Sequence, residues 1–137
     1  MFKGRVVSKA GKFYVGDICY AMQEELYRDV WGGKYGYKDG QFDIGDTSFA
    51  VASTKYGDGV YLGSDGHDYP VDAGDIGILS WELVDENSKD IYLGRVINAE
   101  SIDYSFTGRD GSDKEGLFEI YFNNEILTID TDNWGWE

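Results

Sequence analysis

The sequence predicts an all-β (β-rich α+β) domain: an antiparallel meander forming a bent sheet, a sandwich or a barrel-like body, with one helix near residues 21–31. Three observations carry this. Aromatic residues make up 16% of the 137, with eleven Tyr, nineteen Gly and a single Pro. Aromatics suit pleated, half-buried surfaces, and glycine supplies positive φ at turns. Second, the stretch from Phe49 to Leu79 alternates strand-length apolar runs with the breaks YGDG, GSDGHD and DAGD, which is turn chemistry. Third, helical spacing occurs convincingly in one place only.

Phe2–Val7 and Lys12–Val15 read as strands, with SKAGK between them as a hairpin loop. From Ala21 to Trp31 the apolar residues Met22, Leu26 and Val30 recur every four positions, which is one helix face. Glu24 and Glu25 lie early and Arg28 late, as the helix dipole favours, and Gly32-Gly33 stops the pattern. Residues 34–45 read as a polar loop with a short strand at Phe42–Ile44. Strands follow at Ser48–Thr54, Val60–Gly63, Tyr69–Asp72 and Ile76–Leu79. Ser80 to Leu83 reads as one helical turn capped by Ser80. A second meander has strands at Tyr92–Ile97, Ser101–Thr107, Leu117–Phe122 and Ile126–Asp130. Its breaks are a long loop at 108–116 and Asn123-Asn124, a pair that tolerates positive φ. The tail TDNWGWE has no strand partner, and Trp134 and Trp136 are expected to dock on the body.

The length fits one domain, 1–137, and a two-lobed split near residue 88 is compatible with it. The expected core is Val6, Phe13, Val15, Met22, Leu26, Val30, Phe49, Val51, Val60, Val71, Ile76, Ile78, Leu83, Val96, Ile102, Phe118, Ile120 and Ile126. Cys19 is the sole cysteine, so no intramolecular disulfide forms. MFKGRVVSKAGK lacks an apolar core of signal-peptide length, and no window approaches the roughly 18 apolar residues of a membrane span. A cytoplasmic setting is the expectation.

The formal net charge is −14. It is unevenly spread: residues 1–38 hold seven Lys/Arg against four Asp/Glu, and residues 39–137 hold five against twenty-two. Such a field repels nucleic acid and anionic membrane and steers a basic partner. Lys3, Arg5, Lys9 and Lys12 would line a solvent face.

For chemistry, the candidate metal ligands are Asp58, Asp65, His67, Asp72 and Asp75: the aspartates, with Asp68, offer the oxygen donors that calcium takes, and His67 adds a ring nitrogen. The EF-hand spacing is absent, and Asp in such breaks also bonds its own backbone to make turns. Zinc chemistry would have to run through His67, the only histidine. Nucleophilic catalysis would need His67 or Cys19, and no GxSxG elbow is present. Cys19 precedes the expected helix, where a thiol pKa can fall, but it is flanked by Ile18 and Tyr20, as buried thiols are. No phosphate-binding or nucleic-acid motif occurs.

Two segments, GKFYVGDICY (11–20) and AVASTKYGDGVYLGSDGHDYPVDAGDIGILSWEL (50–83), resemble a set of bacterial and phage β-domains defined by sequence rather than by activity. The likeness covers about half of the chain, with Ile18 where that set has Pro. It implies a small intracellular protein of a bacterium or its phage, and no mechanism.

The expectation is therefore a non-catalytic binding module whose acidic face contacts a basic protein, one version being an inhibitor or immunity-type protein. The rivals are a metal-binding or hydrolase-like domain using the Asp-rich turns 58–75, and an accessory subunit of a homo-oligomer. Neither cofactor, nucleic acid nor membrane is expected as a partner, calcium being the one ion the turns suggest. The oligomeric state is left open.

Overall fold

The computed structural model describes residues 2–19, 21–72, 74–88, 93–107 and 116–132. In chain order they form β1 (Phe2–Val7), β2 (Lys12–Asp17), helix α1 (Leu26–Lys34), β3 (Gly40–Ile44), β4 (Thr47–Ser53), β5 (Gly59–Leu62), β6 (Asp68–Val71), β7 (Asp75–Ser80), a 3₁₀ turn at Trp81–Leu83, β8 (Arg95–Asn98), β9 (Ser101–Thr107), β10 (Leu117–Phe122) and β11 (Glu125–Asp130). Every pairing is antiparallel. One sheet runs β1-β9-β10-β11, a second β3-β4-β7-β2-β8, and β5-β6 form a separate hairpin. The fold is β-rich with one helix, and the sheets do not close into a barrel. The expected loop at 108–115 and the tail with Trp134 and Trp136 lie outside the described residues.

The middle strands of the five-stranded sheet are buried on both faces. Phe13, Val15, Ala50, Ala52, Ile76 and Ile78 face the larger core, shared with Ile102, Phe106, Phe118 and Ile120 of the four-stranded sheet. The alternate residues Tyr14, Phe49, Val51 and Leu79 face a second core under α1, with Trp31 and Met22. A strand covered on both faces reads as a continuous apolar run, which explains FAVA and IGIL.

Five expectations are corrected. First, β1 and β2 are not a hairpin. β1 pairs with β9, and β2 with β7 and β8. The chain crosses between sheets at residues 8–11, in step with the crossing from β8 to β9. Ser8 N–H donates to the Glu100 carbonyl (3.1 Å) and Ala99 N–H to that of Gly11 (3.0 Å). Second, residues 49–79 are not a continuous meander. β4 pairs with β7, and the β5–β6 hairpin is an excursion between them, closed where Thr54 N–H donates to the Gly74 carbonyl (2.9 Å).

Third, the helix begins later and runs through Gly32-Gly33. Ala21 lies in a turn instead, Met22 bridges Val84, and Gln23 N–H donates to the Leu83 carbonyl (3.0 Å). α1 is wound as a π-helix, with Tyr35 N–H reaching the Val30 carbonyl (3.0 Å). A Cβ at Gly32 would collide with the Tyr37 ring, so that glycine makes room for an aromatic rather than stopping the helix. Trp31 is the buried residue of α1, and Leu26 and Val30 are half-buried. Fourth, Ser80 makes no capping hydrogen bond. Fifth, Val60, Val96 and Ile126, expected in the core, are 37%, 39% and 60% exposed. Their neighbours Tyr61, Ile97 and Leu127 point inward, and a strand can bury only one phase of its alternation. Asn123 and Asn124 do adopt positive φ (47° and 63°) between β10 and β11.

Ser80 instead serves Glu82. Glu82 Oε2 accepts from the Ser8 hydroxyl (2.9 Å) and the Ser80 hydroxyl (3.1 Å), and Oε1 from Lys9 N–H (2.6 Å). This ties the β1–β2 crossing to the 3₁₀ turn. Partial burial alone would raise the Glu82 pKa, but these hydrogen bonds outweigh it and hold the carboxyl below its ordinary 4.5. A carboxyl lowered on folding adds stability above its unfolded pKa, and this is lost as pH falls through the lower folded value. Glu82→Gln is therefore expected to cost about 1–3 kcal/mol at neutral pH. In urea unfolding, the gap between wild type and variant should hold from pH 7 down to 4.5 and shrink below it.

Candidate functional site

The β5–β6 hairpin carries four of the five predicted ligand positions or adjoins them. Its register pairs Gly59 with Val71, Val60 with Pro70, Tyr61 with Tyr69 and Leu62 with Asp68. Facing residues in an antiparallel pair share a face. Tyr61 and Tyr69 are fully buried and Val71 nearly so. Val60, Leu62, Pro70 and Asp68 must then face outward.

The five predicted ligands do not meet. Asp65 and His67 lie in the closed turn of the hairpin. Asp58 and Asp72 lie just beyond its open end, and Asp75 begins β7. Among the described residues, no three His, Cys, Asp or Glu are grouped to hold a metal.

Asp65 is engaged structurally. Its Oδ1 accepts from His67 N–H (3.1 Å), and its Oδ2 from the Tyr69 hydroxyl (2.9 Å) and Arg95 (3.3 Å). Burial, then this bond to a carboxylate, pushes the Tyr69 phenol far above its ordinary pKa. His67 Nε2 lies 3.1 Å from the Leu93 carbonyl and therefore carries the donated proton. Its ring meets Tyr69 edge-on at 4.8 Å. Asp75 Oδ1 lies 3.3 Å from the Ser53 hydroxyl, which also reaches Asp39 Oδ1 at 3.0 Å.

Asp17, at the end of β2, had no place in the predicted set, yet it fixes the open end of the hairpin. Its Oδ2 accepts from Asp72 N–H (2.7 Å) and its Oδ1 from Cys19 N–H (2.9 Å). The signal in the sequence was the Asp-x-Cys spacing, in which an Asp side chain bonds the backbone two residues on. Cys19 is partly buried; burial raises its pKa, a hydrogen bond with Tyr27 opposes this, and the charges of Asp17, Asp72 and Asp75 raise it further. The thiol is held in its protonated, less nucleophilic form.

Beside Asp17 and Asp72 the surface opens into a cavity of about 310 Å³, walled also by Tyr14, Pro70, Val71 and Leu93. Tyr14 is placed by its hydroxyl, which donates to the Asp17 carbonyl (2.9 Å). Its ring needs Gly94 beside it, since a Cβ there would strike the Val15 carbonyl and the ring itself.

No family model, no curated protein and no solved structure matches this chain. The likeness of residues 11–20 and 50–83 to bacterial and phage domains thus adds nothing to the site. No helix among the described residues is long and apolar enough to cross a membrane.

Two outcomes follow. Asp65→Ala strands the buried Tyr69 hydroxyl, and urea unfolding should show a loss of about 1–3 kcal/mol. The loss should be equal in chelator and in calcium, whereas a calcium ligand would show it only with the ion present. Gly94→Ala should cost about 1–3 kcal/mol through overpacking, with the largest amide NMR shifts at Tyr14, Val15 and Asp17.

Proposed function

We propose that this chain is a non-catalytic binding module for a basic protein partner, and that the outer face of the β5–β6 hairpin is its contact surface. The observation that carries the reading is the make-up of that face. Val60 and Leu62 (37% and 53% exposed) and the half-buried Pro70 form an apolar centre. The exposed Asp58, Asp68 and Asp72 surround it, and their carboxylates have no hydrogen-bond or ion-pair partner among the described residues. An apolar centre within a polar rim is the anatomy of protein interfaces. Neighbouring exposed apolar side chains rimmed by polar ones are the kind of patch that marks an interaction site.

The net charge of −14 supports the sign of the partner. Opposite charge raises the encounter rate and selects against acidic proteins, and the effect weakens with salt. An inhibitor or immunity-type role toward a basic protein, inside a bacterial or phage-infected cell, is the version most in keeping with this acidic, apolar-centred face. The Cys19 thiol is held protonated, and His67 and Asp65 are committed to Leu93, Tyr69 and Arg95.

The test is affinity capture from cell lysate at low and high salt. It uses the wild type, the triple variant Asp58→Lys/Asp68→Lys/Asp72→Lys, and a control reversing Glu100 and Glu119 elsewhere on the surface. The expected result is a basic protein retained by wild type and control at low salt, released at high salt, and not retained by the triple variant. Equal capture by all three chains would refute the assignment of the face.

A further inference from the structure

The cavity at the open end of the hairpin adjoins the proposed contact face and shares Pro70 and Asp72 with it. Its volume of about 310 Å³ lies at the small end of ligand pockets, which run from about 300 to 1,000 Å³. That is room for one long side chain rather than a cofactor. Its walls are mainly apolar, from Tyr14, Pro70, Val71 and Leu93, and its polar groups include two carboxylates, Asp17 and Asp72.

The two carboxylates differ. Asp17 is fixed by the backbone N–H groups of Cys19 and Asp72. The Asp72 carboxylate is exposed and has no hydrogen-bond or ion-pair partner among the described residues. Apolar walls with two carboxylates among them fit an amphipathic cation: an aliphatic stem packs along the walls while the charged head meets the acids. A guanidinium suits the two carboxylates better than an ammonium, being planar, weakly hydrated and able to offer several N–H donors at once.

We infer that this cavity receives an arginine side chain of the basic partner, the stem against Pro70, Val71 and Leu93 and the guanidinium toward Asp72 and Asp17. The inference rests on the reading of the hairpin face as the contact surface and adds the anchor. An anchor side chain held in a pocket beside an apolar patch is the arrangement that concentrates binding energy at interfaces.

The experiment is an amide NMR titration of the full chain with three blocked peptides, Gly-Gly-Xaa-Gly-Gly, where Xaa is arginine, lysine or norleucine. The arginine peptide should shift Tyr14, Val71 and Leu93 in a saturable way, the lysine peptide more weakly, and norleucine least. Asp72→Asn should weaken arginine binding by about fivefold, the size of a partly exposed ion pair. Asp68→Asn, outside the cavity, should leave it unchanged. Among the described residues the Asp72 carboxylate makes no hydrogen bond or ion pair, so its variant is expected to keep the fold.

Shifts confined to the outer face at Leu62 and Asp68 would overturn the cavity assignment while leaving the hairpin face standing. Equal response to arginine and norleucine would overturn the charge recognition. No saturable shift with any peptide would overturn the pocket altogether, and the capture experiment would still judge the hairpin face on its own.

Discussion

The burial of Tyr61 and Tyr69 is the constraint on which the proposed contact surface depends. An isolated two-stranded hairpin is marginal in water, and β5 and β6 are each four residues long. Two rings driven into the core between the sheets hold the hairpin down; deleting such a buried aromatic costs about 3–5 kcal/mol. Each ring brings a hydroxyl that must also be satisfied. Tyr61 donates to the Gly57 carbonyl (2.8 Å) and Tyr69 to Asp65 (2.9 Å). The polar turns at both ends of the hairpin are therefore shaped by what its inner face buries. Because side chains alternate with period two, fixing Tyr61 and Tyr69 inward forces Val60, Leu62, Pro70 and Asp68 outward.

Attachments at the edges complete the placement. Gly63 bridges Ile129 of β11, Ser64 N–H donates to the Thr128 carbonyl (2.8 Å), and Thr128 N–H returns a bond to the Ser64 hydroxyl (2.8 Å). At the other end Asp17 holds Asp72 N–H. The hairpin thus leans on β11 of one sheet and β2 of the other. Arg95 adds a partly buried ion pair to Asp65 and lies 5.0 Å over the Phe122 ring. The outward face is presented by a platform anchored on three sides, which lowers the ordering cost of binding.

Local chemistry was the legible part of the sequence. The strands Phe2–Val7, Ser101–Thr107 and Leu117–Phe122 were readable to the residue because alternation and turn residues bound them. Asn123-Asn124 announced its own positive φ. Sheet membership was not readable: SKAGK has hairpin chemistry, but the partner that claims β1 is about a hundred residues away. The phase of a strand such as GVYL was hidden for a related reason. Valine and leucine look like core beside tyrosine, and only the available space decides that the larger ring goes in. The same ambiguity misplaced Val96 and Ile126. α1 was blurred because Trp31 and the Tyr37 ring over Gly32 organise a wider turn than a four-residue spacing describes. At the site, the aspartates of 58–75 were visible but their duties were not. Asp65 belongs to Tyr69 and Arg95, whereas Asp58, Asp68 and Asp72 keep their charges for solvent or a partner. Asp17 escaped notice because its role is to hold a backbone that is distant in sequence.

The central claim is that the hairpin is a welded part of the body and not a loose flap. Native-state amide hydrogen exchange tests it most directly. The amides of Gly63 and Ser64, bonded to the His67 and Thr128 carbonyls, should exchange with an opening free energy within about 1 kcal/mol of that of Ile120 in the middle of β10. Exchange of Gly63 and Ser64 through a low-energy local opening, while Ile120 stays protected, would contradict it.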